Sequence, residues 1–317
     1  MPDLGPAVST VLDRCLAVKK GEELLVVVDP AKRSIGEALR DAAGERGADP
    51  VLAIMDAREV DGNEPPRPVA GALAACDVFI AATTRSLSHT TARKRASEAG
   101  ARGATMPGVT EDMLARVMAV DFGIMMRRSR AVAELLSSAD EARLTCPRGS
   151  DFKIDLTGRT GLPDDGALTE PGAFGNLPCG EGFIAPRSGE GRIVVAATLA
   201  SIGITEEPAT LTVEDGRLTA AEGGRGPRLM ELLLAAGENG TNLAELGVGT
   251  NDRATLTGNV LEDEKILGTV HIAFGASAGI GGTVSVPIHL DVVVLDPTLE
   301  VGGETVLEEG RFVLDAQ

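Results

Sequence analysis

The chain holds only three histidines. Two of them stand in segments that alternate as strands do, Gly268-Thr269-Val270-His271-Ile272-Ala273-Phe274-Gly275 and Pro287-Ile288-His289-Leu290-Asp291. Residues i and i+2 of a strand share a face, so His289 and Asp291 can converge on one ion while Leu290 packs behind them. A neighbouring strand carrying His271 completes a set of two imidazoles and one carboxylate. That set suits zinc with an open position, or the facial triad of a non-haem iron(II) site. A His-x-Asp pair is weak by itself, since a lone histidine more often serves only as a hydrogen-bonding side chain.

Two further segments bring acids into glycine-rich surroundings. In Asn176-Leu177-Pro178-Cys179-Gly180-Glu181-Gly182-Phe183-Ile184-Ala185-Pro186 a single carboxylate, Glu181, stands among turn formers and apolar residues. In Ala244-Glu245-Leu246-Gly247-Val248-Gly249-Thr250-Asn251, Glu245 leads what reads as a glycine-rich loop. Glycine permits close backbone approach, which a rigid irregular site requires. Taken singly, each glutamate reads as a surface residue. The third histidine, His89, lies in Arg85-Ser86-Leu87-Ser88-His89-Thr90, read as just inside a helix capped by Ser88.

Composition narrows the function classes. The 30 Lys+Arg against 47 Asp+Glu give a formal net charge of −17, which argues against nucleic acid and anionic membranes as partners. With no Trp, no Tyr and seven Phe, no stacking platform for single-stranded nucleic acid can be assembled. Met1-Pro2-Asp3-Leu4 opens no signal peptide, and no run of about 20 apolar residues spans a membrane, so a cytoplasmic protein is expected. The four cysteines, Cys15, Cys76, Cys146 and Cys179, are scattered without Cys-x-x-Cys spacing and read as reduced thiols.

The elements that must position these residues fall into two textures. Strand and helix signals alternate from Glu22–Asp29 through Ala31–Gly47, Val51–Met55, Val69–Ala75, Asp77–Thr83 and Ser88–Ala99 to Arg102–Met106, which predicts a parallel sheet with crossover helices. Ligands of such sheets sit beyond the carboxyl ends of the strands, where His89 falls. No Gly-x-Gly-x-x-Gly follows the first strand, so a dinucleotide site is not expected. A longer helix over Phe122–Ala139 leads out of this region. Beyond it strands dominate, with Arg192–Leu199, a hairpin over Ala209–Ala221, a helix near Pro227–Ala236 and a last hairpin over Leu299–Leu314. The fold class is therefore α/β: an N-terminal parallel-sheet α/β domain over 1–140, followed over 141–317 by a β-rich α+β domain that carries the metal. The acidic run Glu262-Asp263-Glu264 reads as a solvated turn, and Phe183 and Phe274 as pocket lining.

The order NLPCGEGFIAP, AELGVGTN, DEKILGTVHIAFG and HLD, spanning 176–291, resembles the aminopeptidase T family of metallo-aminopeptidases and its relatives, the 2,5-dihydroxypyridine 5,6-dioxygenases. The LSHT segment resembles the shorter members of this superfamily. The resemblance implies a homodimer of two-domain chains acting on a peptide or other small molecule. In the peptidases a pair of zinc, cobalt or manganese ions is implied, held at positions matching Glu181, Glu245, His271, His289 and Asp291, with Glu181 and Glu245 also catalytic. The chain would then be a leucyl-aminopeptidase-like hydrolase in which metal-activated water attacks an N-terminal peptide bond. Two departures bear on this, the peptidases' tyrosine after the Gly-Thr-x-His histidine being missing and the chain being short, but the retained Glu181 and Glu245 tilt the reading toward the hydrolase, with the dioxygenase branch as the alternative. There the resemblance implies one iron(II) on His271, His289 and Asp291, with His89 as acid/base in a ring-cleaving dioxygenase. A metal-binding protein without activity is the third reading.

Overall fold

The computed structural model describes residues 2–315, which form two compact units. Of these, the first comprises the residues up to Val120 and Gly166–Cys179, the second Asp121–Asp165 and the residues from Gly180 onward. This division differs from the expected break at 140. The helix read as a path between domains belongs wholly to the second unit, and a later segment returns to the first.

In the first unit, α1 (Gly5–Ser9) runs into a wider π turn over Thr10–Cys15. The strands β1 (Glu23–Val28), β2 (Asp49–Ile54), β3 (Val78–Ala82) and β4 (Arg102–Thr105) then alternate with α2 (Arg33–Glu45), α3 (Arg67–Leu73) and α4 (Thr91–Glu98), and α5 (Glu111–Val117) follows. β1 pairs with β2 and β3, and β3 with β4, all parallel, as strands joined through helices must be. β1 and β3 are buried almost throughout, which is why they read as unbroken apolar runs. Arg102, at the start of β4, is held by both carboxylate oxygens of Glu22, at 2.9 and 2.7 Å, and donates to the carbonyls of Leu16 and Ala17.

The second unit starts with α6 (Phe122–Ser138), capped by Asp121, which accepts from the Ile124 amide. The strands β5 (Glu141–Thr145), β6 (Asp151–Asp155) and β7 (Leu162–Asp164) come next. The chain then adds β8 (Phe174–Asn176) to the parallel sheet of the first unit, beside β4, before re-entering the second as β9 (Glu181–Ile184). There follow β10 (Ser188–Val195), β11 (Thr198–Leu199), β12 (Gly203–Ile204), β13 (Ala209–Glu214), β14 (Arg217–Glu222), α7 (Gly226–Ala235), β15 (Leu243–Gly249), α8 (Val260–Asp263), β16 (Val270–Gly275), β17 (His289–Val294), β18 (Thr298–Val301), β19 (Glu304–Glu308) and β20 (Arg311–Phe312).

Two sheets enclose the core of this unit. One runs β14-β13-β10-β6-β5-β18-β19-β20, the other β12-β11-β17-β16-β15-β9-β7. Leu246, Val248, Val270, Ile272, Phe274, Leu290, Val292 and Val294 of the second sheet share the core with Phe152, Ile154, Ile193 and Leu211 of the first. Phe274 is therefore a core residue, fully buried, and not pocket lining. The alternation that sends these side chains inward sends Glu245, Gly247, His271, Ala273, His289 and Asp291 to the opposite face. Among the described residues, no helix is long and apolar enough to cross a membrane.

Candidate metal centre

Strand register brings the predicted ligands together. Across β15, β16 and β17, Glu245 stands opposite Ala273 and Ala273 opposite Asp291, while Gly247 faces His271 and Gly275 faces His289. On the other side of β15, Gly249 pairs with Glu181 of β9, and Glu181 with Asp164 of β7. Directly paired residues share a face, so all five predicted ligands project from one surface of four adjacent strands, β17, β16, β15 and β9. Glu245 therefore lies inside a fully buried strand, and not at the head of a loop, because the glycines after it leave room for a neighbour. At Gly247 any Cβ would overlap the His271 imidazole, and only glycine lets the ring lie there.

The side-chain atoms close up around Glu245. Its Oε1 is 3.4 Å from His271 Nε2 and its Oε2 is 3.2 Å from His289 Nε2. His271 Nε2 is 3.2 Å from Glu181 Oε2, and His289 Nε2 is 3.6 Å from Asp291 Oδ1. Two sets of ligand atoms result, Glu181–Glu245–His271 and Glu245–His289–Asp291, with Glu245 common to both. His271 is fully buried, Glu181, Glu245 and Asp291 are 6–7 % exposed, and His289 is the most accessible of the five.

The group is strongly coupled. Burial by itself lowers an imidazole pKa, yet the carboxylates of Glu181, Glu245 and Asp291 reverse this and hold His271 at about 9. His289 is likewise held well above its ordinary value by Asp291 and Glu245 against the same burial. Burial would raise the Glu245 carboxyl, but hydrogen bonds from both imidazoles pull it far below the usual range.

A divalent cation fits these residues. Around one ion with bonds of about 2.0–2.1 Å, adjacent ligand atoms stand roughly 3 to 3.5 Å apart, which is the spacing of the imidazole and carboxylate atoms here. His289 Nδ1 donates to the Ala276 carbonyl at 2.7 Å, which fixes the tautomer that leaves Nε2 free to ligate. Glu181 Oε2, buried, makes no hydrogen bond within the chain.

Three residues at this centre went unassigned in the sequence. Lys265, fully buried, has its Nζ 2.5 Å from Glu181 Oε1, 2.8 Å from Glu264 Oε1 and 3.3 Å from Asp164 Oδ2. Burial, with Glu181 alongside, raises Asp164 to about 7 against the pull of Lys265. Burial likewise raises Glu264 to about 8, with Asp291 and Glu181 adding to it. The signal was present, since Lys265 is part of the motif DEKILGTVHIAFG. A charged side chain amid an acidic run reads as solvated unless something shows that it is buried. The run itself is not a solvated turn: Glu262 accepts from the amide and hydroxyl of Thr255, and Asp263 from Thr198 Oγ1, from the amide and hydroxyl of Thr257 and from the Gly258 amide.

His89 belongs to the first unit, exposed in a turn that precedes α4. Thr90 and not Ser88 caps that helix, accepting from the Arg93 amide at 3.2 Å. Ser88 is occupied instead by Thr105 Oγ1 at 2.7 Å, at the carboxyl end of β4. Cys179 is buried.

A parallel-sheet α/β unit followed by a two-sheet unit is a fold that this chain shares with solved structures. The chain belongs to the family described as NicX, 2,5-dihydroxypyridine 5,6-dioxygenase, whose model matches residues 3–314. Among solved structures, 2,5-dihydroxypyridine dioxygenase from Pseudomonas putida KT2440 is similar with a TM-score of 0.84 at 22% identity, covering 98% of this chain and 97% of that one. Wild-type AmpT from Thermus thermophilus is similar with a TM-score of 0.72 at 19% identity, covering 98% and 99%. A search of curated proteins gives no match. The chain is thus a member of an enzyme family.

Proposed function

We propose that the chain is a mononuclear non-haem iron(II) dioxygenase that opens the ring of a dihydroxylated pyridine. The observation that carries this reading is the match of the dioxygenase family over residues 3–314. The donor set agrees with it: His289 and Asp291 lie side by side on β17, and His271 lies on the adjacent strand. Iron(II) held by two imidazoles and a carboxylate supplies redox chemistry and open positions for small ligands.

The chain's own residues do the rest. The Ala276 carbonyl holds the His289 ring in place, and the Glu245 carboxylate stands between the two imidazoles, one oxygen beside each Nε2. Burial of His271, Glu181 and Glu245 keeps water from the inner side of the cluster. His89 is assigned proton transfer with the substrate. His89→Ala is expected to lower turnover and leave metal content unchanged.

A second reading is favoured by one observation. Glu245 is common to two ligand sets, as in a centre that holds two ions and activates water for hydrolysis. The absence of any tyrosine counts against a peptidase of the aminopeptidase T type. Oxygen uptake on adding 2,5-dihydroxypyridine to anaerobically iron-loaded protein tests the first reading. Hydrolysis of leucine p-nitroanilide by zinc-, cobalt- or manganese-loaded protein without oxygen uptake would replace it with the second. A homodimer in the cytoplasm belongs to the same proposal.

A further inference from the structure

The ammonium of Lys265 sits where three carboxylates meet. Its three N–H donors face Glu181 Oε1, Glu264 Oε1 and Asp164 Oδ2, and none of the four side chains is more than slightly exposed. Asp164 and Glu181 are paired across β7 and β9, so both acids point to this spot from the sheet. Lys265 reaches it from the turn after α8, which lies against β15 because Gly249 has no Cβ to collide with the Ile266 carbonyl. Glu181 is thereby divided: Oε1 is bound to Lys265, while Oε2 faces His271.

A cage of carboxylate oxygens is what a hard divalent cation selects, and here a fixed side-chain cation already fills it. We propose that Lys265 is the specificity-determining residue for metal number: its ammonium takes the place of a second ion and confines the centre to one. The inference rests on the single-ion reading above and deepens it. A divalent ion and the ammonium cannot share the position, and Glu181 cannot bridge two metals while one of its oxygens is held by Lys265.

The test uses Mn²⁺ alone, in equilibrium dialysis of the metal-stripped full-length chain followed by metal analysis. Wild type and Lys265→Arg are expected to hold one equivalent. Lys265→Met, with similar reach and no charge, is expected to hold two. A folded Lys265→Met that holds one equivalent overturns the proposal and assigns Lys265 to charge neutralisation only. Wild type holding two equivalents overturns it as well, whatever the variants do. Should Lys265→Met fold only with Mn²⁺ present, at two equivalents, the proposal stands. Should it not fold at all, Lys265→Gln carries the measurement with the same two outcomes. Oxygen uptake by wild type separates this from the proposed function. An active wild type with a one-ion Lys265→Met sinks the Lys265 inference alone. An inactive one-ion wild type with a two-ion Lys265→Met sinks the dioxygenase reading alone.

Discussion

The His271 imidazole lies against the bare Cα of Gly247, the residue opposite it on β15. A methyl group there would occupy the space of the ring. Gly247→Ala is therefore expected to displace His271, fully buried and without room to move aside, and to weaken metal binding by about tenfold to a hundredfold, the range seen when a ligand's support is lost. Metal titration of the refolded variant, with circular dichroism to show that the sheet survives, checks it. Unchanged affinity would mean that His271 is not a ligand.

Glu245 places one carboxylate oxygen beside each imidazole Nε2 and belongs to both ligand sets. Glu245→Gln keeps the shape and removes the charge. The expected result is a drop in metal affinity larger than that of Glu264→Gln, because Glu264 is held by Lys265 and belongs to neither set. Parallel titrations of the two variants decide it.

The chelator-stripped protein should lose stability as pH rises. His271 has its folded pKa raised from 6.5 to about 9, so its contribution is fully present below about 6.5 and is lost as pH climbs through about 9. Glu264, also raised, to about 8, acts in the same direction. Melting temperatures of the stripped protein at pH 6.5 and 9 are expected to fall by several degrees. Loaded protein should fall less, since metal replaces the imidazole protons and binds more tightly as they leave.

In the first unit, Arg102 and Glu22 form a pair whose side chains are 8% and 17% exposed. Arg102→Met removes both carboxylate bonds and two carbonyl contacts and is expected to cost about 3 kcal/mol, as breaking a buried pair does. Burial alone would raise the Glu22 carboxyl, but the Arg102 hydrogen bonds and the Lys19 amide hold it below 4.5. Its stabilisation is therefore present above that pH and lost as acid brings it through the lowered value. Urea unfolding of wild type and variant at pH 7 and pH 4 checks both statements, with the difference between them narrowing in acid.

Asp263, fully buried, receives hydrogen bonds from Thr198, Thr257 and Gly258. Asp263→Ala removes the acceptor of four donors, of which Thr198 Oγ1 is buried and the other three are part-buried. A loss of about 1–3 kcal/mol is expected from the unfolding midpoint, and Asp263→Asn should recover part of it because one acceptor oxygen survives.

Local pattern determined much of this. The unbroken apolar runs of β1 and β3 announced a parallel sheet, since only strands buried on both faces dispense with polar residues. The placement of His289 and Asp291 two residues apart announced a shared face, because strand geometry has a period of two. The motif order carried Glu181, Glu245 and His271 as further candidates. What no local pattern holds is register between strands distant in sequence, and it is register that sets Glu245 against Ala273 and Ala273 against Asp291. Burial is equally non-local. Glu262, Asp263 and Glu264 read as a solvated turn, and only packing against β15 and the β7–β9 pair shows where these charges, and that of Lys265, go. The path of the chain was hidden for the same reason. Nothing within 166–179 states that Phe174–Asn176 will add to β4, because a strand's partner is chosen by the edge that the rest of the fold leaves open. The sequence by itself supplied the ligand types and the face they share; tertiary structure decided that Glu245 stands between the two histidines and that a buried ammonium stands beside Glu181, since both depend on which strands become neighbours.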